Sequence, residues 1–240
     1  LFVEQEINSL AKDYKFSWLT LTVADAKTGA ILASGASPSF DANKLNMQSY
    51  LNPLVSYAYE PGSTMKIFSF MTAIDNDLYD GDETYMSGTI EVSDATIKDF
   101  NNVGWGRISF DEGFNYSSNV AATILSQKLG KDKLNEYYAR FGFGTKTGIT
   151  LPDEVNGSIK FNYPTEIATA AFGQGITTTP IQNIQALTTI ANDGIMLKPY
   201  IVSKIVDSNT KEVKYEAKKE ELGKVVKKST TDKMKEMMHN

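Results

Sequence analysis

The chain has 240 residues, of which 41% are hydrophobic and 22% charged, and carries a net charge of −5. That length buries a substantial core, as one large domain or two closely packed subdomains, and the acidic balance argues against a general nucleic-acid binder. There is no cysteine and one histidine, His239, so thiol catalysis, zinc–thiolate sites and disulfides are excluded, and a Ser-His-Asp triad would have to use a residue beside the C-terminus. A serine hydrolase built on this chain must find its base elsewhere, and lysine is the favoured source.

In chain order, residues 1–13 read as an amphipathic helix. Residues 18–23 alternate as a strand, 25–29 form a turn, and 30–33 return as the second strand of a hairpin. Residues 35–56 are polar and rich in Asn, Ser and Pro, and are expected to form a long loop. A buried helix follows Pro61-Gly62. Residues 79–116 are mixed, with a short strand at 89–92 and a helix cap near Ser109 to Glu112. A helix is expected over 119–129 with Gly130 as its stop, and another over 131–141. Residues 142–157 are rich in turns. Residues 164–172 and 180–192 read as helices flanking Gly173-Gln174-Gly175. Strands at 201–206 and 212–215 surround a turn, and 230–238 is helical. No segment is long and apolar enough to span a membrane, and no signal peptide is evident. The order of hairpin, helices and strands suggests a sheet assembled from both ends around a helical insertion. Because Leu1 falls inside the first helical pattern, a longer parent protein is expected.

The helix after Pro61-Gly62 carries Ile67, Phe70, Met71, Ile74 and Leu78 at helical spacing, with Phe68 on another side, and should be buried. Ser63 and Lys66 sit at its mouth, three residues apart and so on one face. Burial and the helix dipole both disfavour the ammonium form of Lys66, which makes it a base for the Ser63 hydroxyl. The free N–H groups of the helix start can receive an oxyanion. The plain alternative is an N-cap serine and a lysine reaching for water. Ser-x-x-Lys also occurs at Ser9/Lys12 and Ser208/Lys211, but only the Ser63/Lys66 copy follows Pro-Gly and opens a strongly apolar helix.

Ser117-Ser118-Asn119 is the only Ser-x-Asn in the chain, and it too opens a helix. It reads either as a capping pair or as a proton-relaying hydroxyl beside a substrate-binding amide. Ser-x-x-Lys followed by Ser-x-Asn is the signature of penicillin-binding proteins and serine β-lactamases. With residues 59–66, 116–119 and 172–182 taken together, and weaker matches at 25–33 and 191–194, the chain resembles the transpeptidase domain of class B penicillin-binding proteins. The resemblance implies an α/β (α+β) fold of the β-lactamase/transpeptidase type. Such a fold has a mainly antiparallel sheet flanked by helices and an all-helical subdomain, here incomplete at both ends. Residues 1–58 and 165–240 would hold the sheet, and 59–164 the mainly helical part. The resemblance also implies Ser63 as nucleophile, Lys66 as base, Ser117 as relay and Asn119 as both catalytic and substrate-binding. Ser118, Trp105 and Phe100 are further candidates for substrate binding, and the Gly-Gln-Gly stretch is expected to be structural. No cofactor or metal is implied. The implied partners are peptidoglycan stem peptides, β-lactams and cell-wall synthesis or division proteins. The implied location is the outer face of the bacterial cell membrane, held by an N-terminal anchor.

The family's third motif, Lys-Thr-Gly on an edge strand, is not matched in position. Lys27-Thr28-Gly29 precedes Ser63 and reads as the hairpin turn. Lys146-Thr147-Gly148 lies in a glycine-punctuated loop ahead of the Gly-Gln-Gly stretch. The motif is therefore expected beyond Asn240, and this stretch alone is expected to be inactive. The readings carried forward are a D,D-transpeptidase and penicillin target, a serine β-lactamase or β-lactam sensor, and an inactive fragment.

Overall fold

The computed structural model describes residues 1–40, 43–44 and 49–239. Helix α1 (Phe2–Asp13) precedes a hairpin of β1 (Leu19–Ala24) and β2 (Ile31–Ser37). Val3 and Ile7 of α1 are buried. A Cβ on Gly35 would lie 2.9 Å from both of their side chains, so the glycine lets the helix sit down on the sheet. Strand β2 runs past the expected end of the hairpin, through residues read as loop. The end of that stretch forms a short helix, α2 (Pro53–Ser56), capped by the Asn52 side chain. The middle of the expected loop, residues 41–42 and 45–48, lies outside the described residues.

A 3-10 turn (Gly62–Met65) leads without a break into α3 (Lys66–Asp75). Phe68, Phe70, Met71 and Ala73 of α3 are buried in the main core, as the apolar run requires, while Leu78 falls beyond the helix and is exposed. The Phe68 ring meets Phe141 at 5.1 Å and Phe143 at 4.9 Å. Four short strands follow: β3 (Thr84–Met86), β4 (Thr89–Val92), β5 (Ala95–Lys98) and β6 (Arg107–Ser109). Strand β3 pairs with β6 and β4 with β5, both antiparallel. Helix α4 (Phe110–Asn115) begins with a capping box between Ser109 and Glu112. Helix α5 (Asn119–Arg140) is broken at Gly130, whose φ of 75° no helix accepts, so the stop signal acts where the sequence places it.

Helices α6 (Pro164–Ala170) and α7 (Pro180–Ala191) both start on a proline. Strand β7 (Ile195–Leu197) pairs with β10 (Glu221–Lys224), and β8 (Lys204–Val206) pairs with β9 (Val213–Glu216) in an exposed hairpin. Helix α8 (Lys228–His239) completes the described chain. Its first turn is tied to the end of α3, because Asp75 accepts hydrogen bonds from Lys227 N and Thr230 Oγ1, both at 2.7 Å. The fold is thus a mixture of helices and antiparallel pairs. Among the described residues the β pairing between the two ends of the chain is a single bridge, Ala30 to Tyr200, rather than one continuous sheet.

Candidate active site

Ser63 is the second residue of the 3-10 turn and is exposed, whereas Lys66, the first residue of α3, is 3% exposed. The sequence reading placed Ser63 in an α-helical first turn. The tighter 3-10 geometry eclipses residues i and i+3, and it brings Lys66 Nζ to 3.2 Å from Ser63 Oγ. The first N–H groups of such a turn have no carbonyl partner within it; Gly62 N finds one outside, at Gly173 O. The other two Ser-x-x-Lys pairs lie on the exposed face of α1 and in the β8–β9 turn, with both members exposed.

The turn is held from behind. Gly62 N donates to Gly173 O at 3.1 Å, and Gly175 N donates to the Glu60 carboxylate at 2.9 Å. Tyr59 and Thr178 exchange two backbone hydrogen bonds of 2.9 Å. A Cβ at Gly173, where φ is 80°, would sit 2.1 Å from Gly62 O. The Gly-Gln-Gly stretch therefore backs the nucleophile turn directly. Deeper in, Ser69 Oγ bonds Tyr138 OH at 2.8 Å and Ala171 O at 2.7 Å, tying α3 to α5 and α6.

Ser117 lies at φ 55°, in the turn between α4 and α5. Its N–H bonds Phe114 O, and the next N–H bonds Gly113 O. This left-handed kink points both the Ser117 carbonyl and its hydroxyl at Lys66. Lys66 Nζ donates to Ser117 O and lies 3.0 Å from Ser117 Oγ. The lysine amine thus bridges the two serine hydroxyls. Burial pushes its pKa from 10.5 down to about 8, against an opposing pull from the Asp99 carboxylate. Removing the ammonium from water is the dominant cause.

Asn119 opens α5, and its Nδ2 donates to Lys98 O at 2.8 Å, which fixes the amide's orientation. Ser118 behaves differently from the sequence reading. Its side chain is fully buried, it caps α5 by accepting from Ala121 N at 3.0 Å, and it donates to Asp99 at 2.8 Å. It supports the site from beneath and does not line it. Trp105 is half-buried and Phe100 is 70% exposed, their rings 5.6 Å apart. Trp105 stacks on Tyr116 at 4.9 Å with an interplanar angle of 14°. Tyr116 belongs to the 116–119 stretch that carries the resemblance but was given no role there.

The two Lys-Thr-Gly copies are both outside strands. The first is the β1–β2 turn, where Asp25 accepts from Lys27 N and Thr28 Oγ1. In the second, Glu154 accepts from Thr147 N at 2.7 Å, Thr147 Oγ1 at 2.6 Å and Gly148 N at 3.1 Å, which locks the loop. A cavity of about 480 Å³ lies elsewhere, between β2 and α2, lined by Gly35, Phe40, Tyr50, Leu54 and Ile201 and by none of the four motif residues.

A serine hydroxyl, a partly neutral lysine and a second hydroxyl meet in one place, with an oriented amide two residues beyond the second hydroxyl. Residues 19–240 match the model of the penicillin binding protein transpeptidase domain. The chain belongs to that family. It is 33% identical over 218 residues to stage V sporulation protein D of Bacillus subtilis, covering 87% of this chain and 34% of the relative. It is 27% identical over 200 residues to a probable peptidoglycan D,D-transpeptidase, PenA, of Neisseria gonorrhoeae, covering 80% and 34%. Penicillin binding protein 2X from Streptococcus thermophilus superposes with a TM-score of 0.92 at 35% identity, over 99% of this chain and 36% of that one. Penicillin binding protein 3 from Mycobacterium tuberculosis, solved with ampicillin, gives 0.86 at 28% identity, over 98% and 54%. The class B resemblance read from the motifs holds. The chain spans about a third of the length of these curated relatives.

Proposed function

We propose that this chain carries the acylation centre of a peptidoglycan D,D-transpeptidase that is also a penicillin target. The observation that carries the reading is the position of Lys66 Nζ, 3.2 Å from Ser63 Oγ and 3.0 Å from Ser117 Oγ. Neutral Lys66 takes the Ser63 proton as Oγ attacks the penultimate carbonyl of a D-Ala-D-Ala stem. The oxyanion is received by N–H groups of the 3-10 turn. Ser117 passes a proton from the lysine to the departing D-Ala amine, leaving an acyl-Ser63. An amine of a neighbouring stem peptide then attacks, and the same relay runs in reverse to restore the Ser63 hydroxyl. Asn119 holds the substrate's amide, and Phe100 and Trp105, the latter stacked on Tyr116, flank the cleft. A β-lactam follows the first half of this path and stops at the acyl-enzyme.

The family's Lys-Thr-Gly role is assigned to neither copy in this chain. The whole protein is placed at the outer face of a bacterial cell membrane, in contact with cell-wall synthesis or division proteins. The lifetime of the penicilloyl adduct on the complete protein tests the reading against the β-lactamase alternative. Persistence over many minutes is expected, together with transfer of a model D-Ala-D-Ala acyl group to an added D-amino acid. Rapid turnover to penicilloate without transfer would favour the β-lactamase reading.

A further inference from the structure

The mechanism above uses four side chains but leaves unexplained a fully buried carboxylate directly under them. Asp99 is 1% exposed and directly follows β5, away from the elements that carry either motif. Its Oδ1 accepts from Ser118 Oγ at 2.8 Å and from Val120 N at 3.1 Å, and its Oδ2 accepts from Gly88 N at 2.8 Å. Its neighbour's carbonyl, Lys98 O, accepts from Asn119 Nδ2 at 2.8 Å. Two consecutive residues therefore grip three consecutive residues, Ser118, Asn119 and Val120. The grip lies immediately beyond Ser117, whose φ of 55° is a conformation that a non-glycine residue keeps only when its surroundings impose it.

We propose that Asp99 is a positioning residue of the acylation centre, its carboxylate holding the Ser117–Asn119 turn in register with Lys66. The inference rests on the acylation reading above and assigns it a further participant that touches no substrate. Two consequences follow from the geometry. Without the bonds from Ser118 Oγ and Val120 N, the turn loses its anchor on the far side of Ser117, and only the backbone bonds to Phe114 O and Gly113 O still hold the hydroxyl and carbonyl on the lysine amine. Without the negative charge, the lysine loses a charge that favours its ammonium form while burial disfavours it. The titratable groups facing Asp99 are Lys66 on α3 and Tyr85 on β3. Burial pushes the Tyr85 phenol up to about 12, so it stays neutral, and the Lys98 side chain is exposed.

The sign is fixed by these contacts. Replacing Asp99 by a neutral isostere lowers the lysine pKa further, so the neutral amine appears at lower pH, although the turn that it serves is loosened. The experiment is Asp99→Asn in the complete protein, with two readouts. The first is the Lys66 titration followed by NMR of labelled lysine side chains, which does not depend on activity. The midpoint is expected to fall by about one unit, as for loss of an opposite charge nearby. The second is penicillin acylation against pH, expected to fall at least about tenfold at its plateau while its rising limb moves to lower pH. An unmoved lysine midpoint overturns the proposal, whether acylation is unchanged or lowered equally at every pH. Should Asp99→Asn not fold, Ser118→Ala carries the test, since it removes one bond to the carboxylate and keeps the charge. A lowered plateau with an unmoved limb is expected there, and acylation like the wild type's overturns the proposal. If the wild-type protein itself is not acylated, the transpeptidase reading fails, and the NMR midpoint still decides the role of Asp99.

Discussion

The pH dependence of acylation follows from one buried amine. Lys66 is 3% exposed, and its pKa stands at about 8 in place of 10.5. A group with a lowered pKa is protonated below it and neutral above it, and only the neutral amine accepts the Ser63 proton. At pH 6 about 1% of the lysine is neutral and at pH 8 about half, so the second-order acylation constant should rise about fifty-fold between them and level off near pH 9. A lysine in water, at 10.5, would instead give a constant still climbing about tenfold per unit through pH 9. The assay is stopped-flow or quenched acylation by a fluorescent penicillin from pH 6 to 9.5, under conditions where the free enzyme is titrated. A limb without a bend below pH 9.5, or a profile flat from pH 6, would refute the argument that burial makes Lys66 the base.

Other outcomes are expected from the same contacts. Lys66→Arg keeps the charge but cannot be deprotonated, and it should lower acylation by at least about a hundredfold in a folded protein, read with the same fluorescent penicillin. Gly173→Ala forces a Cβ to 2.1 Å from Gly62 O at a positive φ. It should displace the nucleophile turn and cost about 1–3 kcal/mol in urea unfolding, together with most of the acylation rate. Lys146→Ala should change acylation less than about twofold, since the loop's carboxylate lock at Glu154 uses Thr147 and Gly148 rather than the lysine.

The parts of this structure that were legible in the sequence are those governed by local rules. Gly130 broke the long helix at the marked place because glycine alone keeps φ at 75° there. The prolines at Pro164 and Pro180 opened their helices, and the α3 apolar run went into the core. The pairs β3–β6 and β7–β10 escaped notice because short strands carry little alternation and each of these finds its partner roughly twenty or more residues along the chain, with no hairpin turn to mark the pairing. The site divides in the same way. Ser63 and Lys66 were visible because three residues of spacing fix their contact. The α-helical setting given to Ser63 missed the 3-10 turn, which is backed by Gly173, more than a hundred positions away in sequence. Ser118 was placed in the cleft because it lies between Ser117 and Asn119, the two residues read as site residues. Its hydroxyl is instead consumed by Asp99, and nothing in the sequence links those two residues. The Trp105–Tyr116 stack is equally non-local: Tyr116 was read as part of the 116–119 stretch, but nothing in the sequence pairs its ring with Trp105.

The central claim is that Ser63 is the nucleophile, and peptide mapping by mass spectrometry after penicillin labelling of the complete protein tests it most directly. The account predicts a single penicilloyl adduct on the peptide bearing Ser63, absent from Ser63→Ala. A label on Ser117, or an active enzyme without a label on Ser63, would contradict it.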